Sequence, residues 1–200
     1  ENDKSIEKDL YLFDKTSDAF LDYDLQSDIL KPLSLDKKKF RKLLDKGIDS
    51  KSLFIPIILN LSLDRYDNHA NILVVNKLTK HIELFEPHGA RTSSSELGGV
   101  ASAYQKKKRA LRKFFKDYLP KYRVINVVDA IKHSAFQTTE DPKGHSGFCV
   151  TWSILYAHYR FLNPRTPLRT LILYIHKKIN ERYILRYAKY IEMIAKGKLH

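Results

Sequence analysis

The chain has 200 residues, of which 43% are hydrophobic and 12% aromatic, and it carries a formal net charge of +13 at pH 7. This composition excludes disorder throughout and predicts one compact domain, or one domain with a short accessory segment, around a substantial buried core. A single cysteine excludes an intramolecular disulfide framework and indicates a reducing, intracellular compartment, and no run of about 18 apolar residues predicts a membrane span.

The first quarter of the chain, residues 1–50, is predicted to be an N-terminal extension with one short helix. The segment DKKKFRKLLDK, residues 36–46, has amphipathic spacing, and Gly47 is expected to end the helix. The segment LFIPIILNLSL, residues 53–63, follows and is rich in Ile and Leu. It predicts a buried strand bent at Pro56.

A hairpin and a basic helix are predicted next. NILVVN and HIELFE, residues 71–76 and 81–86, are two apolar runs joined by four residues, which is typical of an antiparallel hairpin. Residues 105–120 alternate Lys and Arg with Leu and Phe at roughly helical spacing, which indicates a solvated helix face or a surface for nucleic acid or another polyanion. The candidate polyanion-binding residues are Lys106, Lys107, Lys108, Arg109, Arg112 and Lys113.

The remaining chain predicts one more strand and then mostly helix. RVINVVDA, residues 123–130, reads as the strand, and residues 135–147 as a loop with proline and two glycines. A helix begins near Cys149, and Thr166 with Pro167 is expected to start further helix up to about residue 196. Residues 51–200 are thus expected to form an α+β domain, a small, mostly antiparallel sheet flanked by helices.

Cys149 is predicted to lie in the first turn of its helix, where unpaired backbone N–H groups and the helix dipole favour an anion. Both a thiolate and an oxyanion are stabilised at such a position. A thiol with its ordinary pKa near 8.5 is only about 3% ionised at pH 7, so a nucleophile also needs a basic neighbour. A buried cysteine that acts as a small apolar group is the alternative.

The predicted hairpin supplies the basic neighbour. His69 precedes its first strand and Glu86 ends its second, so the antiparallel pairing can bring them together. The carboxylate could then hold the imidazole in one tautomer and stabilise the imidazolium. Gln137, on the loop before Cys149, could donate its amide N–H beside the Cys149 N–H to form an oxyanion hole.

The order His, acidic residue, Gln, Cys resembles the cysteine peptidase family that includes adenain and the proteases that process and remove SUMO. The segments IELFEPHG and GFCVTWSILYAHYRFLNP resemble more closely still the peptidase-like proteins of giant DNA viruses. The resemblance covers roughly residues 53–164. It implies a papain-like or adenain-like fold in which the nucleophile begins a buried helix.

One position departs from the family pattern. Better-known members have Cys-Gly at the helix start, and an ungapped match places Ser146 in the nucleophile position, whereas the GFC pattern of the viral proteins selects Cys149. Cys149 is preferred because it is the chain's only thiol. The loop from Gln137 to Cys149 is also longer than is usual in the family. We expect Trp152, Asn71 and Gly147 to line the substrate groove.

The resemblance implies a thiol-dependent isopeptidase that removes ubiquitin or a ubiquitin-like protein, with no cofactor and no membrane partner. The alternatives are maturation of a viral precursor protein, in the host cytoplasm or the virion, and nucleic-acid binding without catalysis. A metal site is not predicted. The histidines His81, His88, His133 and His145 show neither HExxH nor paired Cys/His spacing.

Overall fold

The computed structural model describes residues 20–24, 29–32, 37–62, 68–87, 98–131, 136 and 148–197. The strands in these ranges are β1 (Phe20–Asp24), β2 (Ile29–Pro32), β3 (Phe54–Ser62), β4 (Asn68–Asn76), β5 (His81–Phe85) and β6 (Arg123–Asn126). The helices are α1 (Lys37–Asp49), α2 (Gly98–Tyr118), α3 (Cys149–Leu162), α4 (Leu168–Lys178) and α5 (Glu181–Ala195). None of these helices combines the length and apolarity that a bilayer crossing requires.

The described strands form one six-stranded sheet in the order β2-β1-β3-β4-β5-β6. The pairs β1-β2, β3-β4 and β4-β5 are antiparallel, and β1-β3 and β5-β6 are parallel. The predicted hairpin is confirmed, with Asn76 opposite His81 and Ile72 opposite Phe85. Pro56 lies outside the stretch where β3 also pairs with β1, so its missing N–H is tolerated there.

Helices cover both faces of the sheet, which explains why β4 is apolar on both sides. One face packs against α1 and α2 through Phe40, Leu44, Leu111 and Phe115. The other packs against α3, α4 and α5 through Trp152, Leu155, Tyr156, Ile172, Ile175 and Ile184. The predicted α+β class, a mostly antiparallel sheet flanked by helices, is confirmed.

The segment predicted as an N-terminal extension contributes to this sheet and core. Strand β1 pairs with β3 from Phe20 opposite Ile58 onward, and Phe40 and Leu44 of α1 are buried. The mixture of acids and aromatics before residue 30 gave no period from which β1 and β2 could be predicted. The described residues between 20 and 49 therefore pack with the rest of the chain.

Gly47 does not end α1, contrary to the prediction. The helix continues to Asp49, and a Cβ at Gly47 would lie 2.8 Å from Cδ1 of Ile55. The glycine therefore permits close approach of α1 to β3. Lys77 from the hairpin turn satisfies the end of α1, since its Nζ donates to the carbonyls of Ile48 at 2.9 Å and Ser50 at 2.6 Å.

Two asparagine side chains cap the backbone where the predicted elements end or divide. The expected strand 123–130 ends at Asn126, whose side-chain oxygen accepts from the Val128 N–H, and a 3₁₀ turn follows. The expected helix from Thr166 is two helices: Pro167 is the N-cap of α4 rather than its first residue, and Asn180 caps α5.

A buried ion pair fixes α3 on the sheet. The guanidinium of Arg160 lies 3.0 Å from both carboxylate oxygens of Glu83 on β5, and both residues are at most 3% exposed. Tyr156 donates to the same carboxylate at 2.6 Å and Asn76 at 2.9 Å. Burial, and after it the Glu83 charge, raises the pKa of Tyr156 well above its ordinary value, so the phenol stays a donor.

Candidate active site

Cys149 is the first residue of α3. The helix begins there because the carbonyl of its N-cap, Phe148, accepts the Trp152 N–H at 2.8 Å. The first turn contains no acidic residue, so no carboxylate offsets the positive end of the helix dipole. Cys149 is 7% exposed. The thiol is thus held where the backbone favours a thiolate and an oxyanion.

Strand β4 meets α3 beside His69. His69 belongs to β4, with Leu61 opposite on β3, and only its backbone is described. The next residue, Ala70, has its carbonyl 3.5 Å from the hydroxyl of Ser153, which lies one helical turn beyond Cys149. The strand that carries the predicted base therefore touches the helix that carries the predicted nucleophile.

Glu86 directly follows β5 and is 5% exposed. Because Phe85 pairs with Ile72, the next pair in this register is Glu86 with Asn71, two residues after His69. Glu86 Oε2 lies 2.5 Å from Nζ of Lys107 on α2, and the same Nζ lies 2.7 Å from Oδ1 of Asn71. We call Asn71, Glu86 and Lys107 the buried charge cluster.

Phe136 directly precedes Gln137 and contacts both the end of β5 and α3. Its N–H donates to the carbonyl of Pro87, the residue after Glu86, at 2.8 Å. Its ring lies 5.1 Å from Phe85 and 5.5 Å from Trp152. Gln137 itself lies outside the described residues, but its neighbour bridges the end of β5 and the first turns of α3.

Three contacts therefore join the elements that carry Cys149, His69 and Glu86, with Phe136 between them. Ser153 contacts Ala70 beside His69, Phe136 contacts Pro87 beside Glu86, and Phe136 packs on Trp152, three residues after Cys149. The alternative nucleophile position, Ser146, and the predicted groove residue Gly147 lie outside the described residues.

Two of the residues predicted to line the substrate groove are buried. Trp152 is 6% exposed and packs in the core, and Asn71 is fully buried against Lys107. Trp152 was predicted because it shares a helix face with Cys149, yet that face packs against the sheet and Phe136.

The basic helix also differs from the prediction in part. Lys107 is 4% exposed, because it shares the sheet-facing side of α2 with Leu111 and Phe115. Lys108 is paired with Asp129 at 3.1 Å. The cations of the predicted set that stay exposed are Lys106, Arg109, Arg112 and Lys113.

Reversing the charge at Lys106, Arg109 and Lys113 together tests the predicted polyanion surface of α2, and any affinity for duplex DNA is expected to fall. Each cation that neutralises a phosphate releases about one counterion, so the slope of log K against log salt should fall by up to about three. Fluorescence anisotropy over a salt series measures this slope.

The matched control reverses the charge at Arg169, Lys177 and Lys178, which are equally exposed but lie on α4, across the sheet. Equal losses in both triple variants would show that net charge alone determines the affinity, with no contribution from the α2 surface.

Within the described residues, no three or more His, Cys, Asp or Glu side chains lie close enough together to hold a metal ion. Of the four histidines considered for a metal site, His81 begins β5, and His88, His133 and His145 lie outside those ranges.

The chain is similar to solved structures, but it matches neither a family model nor a curated protein sequence. A structure of ChlaDub1 from Chlamydia trachomatis shares 12% identity and a TM-score of 0.46 over 82% of this chain and 67% of that one. A structure of the effector protein ChlaDUB1 from the same organism shares 12% identity and a TM-score of 0.44 over 82% of this chain and 63% of that one.

A third structure is that of the Chlamydia trachomatis effector protein Cdu1 bound to ubiquitin. It shares 16% identity and a TM-score of 0.38 over 85% of this chain and 59% of that chain. The present chain thus spans between 59% and 67% of the length of the three matched chains.

Proposed function

We propose that this chain is a cysteine isopeptidase of the adenain and SUMO-protease type. Cys149 is the nucleophile, His69 the base and then the acid, Glu86 the residue that orients His69, and Gln137 a donor to the oxyanion hole. The observation that carries the proposal is that β4, the end of β5 and Phe136 meet at the first turns of α3.

The reaction follows from these positions. His69 takes the Cys149 proton, and the thiolate attacks the carbonyl carbon of an amide or isopeptide bond, which forms an oxyanion at the start of α3. The imidazolium gives its proton to the leaving amine, and the C–N bond breaks to leave a thioester. His69 then deprotonates a water molecule, which hydrolyses the thioester to a carboxylate and restores the thiol.

The substrate we propose is a conjugate of ubiquitin or a ubiquitin-like protein. The sequence resemblance supports this substrate, because the family accepts extended tails that end in small residues. The resemblance to peptidase-like proteins of giant DNA viruses further supports a virus-encoded enzyme, which would meet such conjugates in the host cytoplasm.

A panel of ubiquitin and ubiquitin-like proteins with C-terminal electrophiles tests the proposal. We expect at least one probe to form a covalent adduct with the chain, and peptide mass spectrometry should locate the adduct at Cys149. The same probe without its terminal Gly-Gly is the control and should not react, because the electrophile would no longer reach the thiol.

If no probe of the panel reacts while the chain cleaves a viral structural precursor at a small-residue site, the substrate assignment is wrong. Precursor maturation would then be the function. The peptidase chemistry would be retained, since both substrates use the same thioester step.

A further inference from the structure

The buried charge cluster contains a cation that the proposed reaction does not yet use. Lys107 contacts Glu86 at 2.5 Å and Asn71 at 2.7 Å, and its side chain is 5% exposed. These residues come from α2, the end of β5 and β4, so three elements that are distant in sequence meet at one ammonium group.

The position of this ammonium decides the charge of Glu86. An isolated carboxylate in a buried site takes up a proton, because burial disfavours its charged form. A protonated Glu86 could no longer stabilise an imidazolium. A cation within hydrogen-bond distance reverses this preference, and Lys107 supplies it.

Lys107 contacts one of the two carboxylate oxygens of Glu86. The contact is to Oε2, and a carboxylate has two oxygens with about four lone-pair sites, so this ion pair does not by itself prevent a second donor from binding Glu86. Lys107 also contacts Asn71, which lies two residues after His69 on β4. Lys107 therefore links Glu86, the proposed orienting residue, to β4, the strand that carries the proposed base His69.

We infer that Lys107 is a positioning residue that keeps Glu86 ionised and oriented towards His69. The inference rests on the proposed function. Stability alone explains the cluster poorly, since apolar residues of similar volume often replace a buried ion pair without loss. The cluster also carries a cost in stability, because the Asn71 Nδ2 is buried without a hydrogen-bond partner in the described part of the chain.

The test is a double-mutant cycle of Lys107→Met, Glu86→Gln and the two together, with Lys116→Met as the matched control. Lys116 lies on the same helix and is exposed. We expect Lys107→Met to lower kcat about tenfold to a hundredfold with KM within about twofold, because the charge of Glu86 and the orientation of the base His69 are lost while substrate contacts are kept.

The double variant decides between positioning and mere folding. It removes both buried charges, so it should melt closer to the wild type than Lys107→Met does. Its kcat should equal that of Glu86→Gln alone, because a residue that acts through Glu86 has no effect once Glu86 is neutral. Independent, multiplying losses, or a double variant as active as the wild type, would overturn the inference.

The imidazole NMR spectrum of His69 gives a readout that needs no substrate. The ¹⁵N shifts should report the same loss of the preferred tautomer in Lys107→Met as in Glu86→Gln, and no change in Lys116→Met. If the wild type cleaves no substrate, the proposed function fails, and this spectrum still decides the inference. An unchanged His69 spectrum in folded Lys107→Met would disprove it.

Discussion

Cys149→Ala is expected to abolish cleavage, with a loss of more than about a thousandfold, because no other thiol in the chain can form the thioester. The fold should persist, since alanine removes one sulfur atom from a residue at the end of a helix rather than from its middle. Cleavage of a fluorogenic ubiquitin-tail substrate gives the rate, and circular dichroism reports the fold.

Ser146→Ala is the matched control for this experiment, because Ser146 occupies the nucleophile position in the ungapped family match. It is expected to retain activity. An inactive Ser146→Ala variant together with a fully active Cys149→Ala variant would move the nucleophile to residue 146 and remove the role proposed for the start of α3.

Arg160→Met is expected to lower the free energy of unfolding by roughly 3–5 kcal/mol, the usual cost of leaving one member of a buried ion pair unpaired. Glu83 is 1% exposed, and after the substitution its carboxylate would retain only the neutral donors Tyr156 and Asn76 from the contacts described above. In a chain of this size Tm falls by about 2–4 °C for each kcal/mol of stability lost, so the expected fall in Tm is roughly 6–20 °C.

Two variants make this measurement specific. Arg182→Met removes an exposed arginine from α5 and should leave the Tm within about 2 °C, as surface substitutions usually do. Glu83→Gln combined with Arg160→Met removes both charges and should be more stable than Arg160→Met alone. A double variant that is less stable than Arg160→Met would contradict this explanation, because the unpaired charge of Glu83 would then not be the source of the loss.

Two contacts set the position of α3 relative to the sheet. The ion pair of Glu83 with Arg160 fixes the last part of α3, eleven residues after Cys149, and the Ser153 contact fixes its second turn against β4. The first turn then has one position relative to β4 and the end of β5. The stability of α3 is therefore a condition for the geometry of the proposed reaction.

The local elements that frame the site follow from the sequence by itself. The hairpin of β4 and β5 is apparent because two apolar runs flank a short turn, and pairing then sets Asn71 opposite Glu86 and places His69 nearby. The start of α3 at Cys149 follows from a glycine-rich loop that gives way to helical spacing. These features depend on neighbours in the chain, which the sequence displays directly.

Contacts between distant segments were decided only by the tertiary structure. Lys107 reads as one more cation of a basic run, and only the rotation of α2 against the sheet turns it inward onto Glu86, 21 residues earlier. Arg160 meets Glu83 across 77 residues, and β1 joins the sheet through pairing with β3. Such pairings have no local period or spacing, because they arise from the packing of whole elements, and they determine which charges are buried.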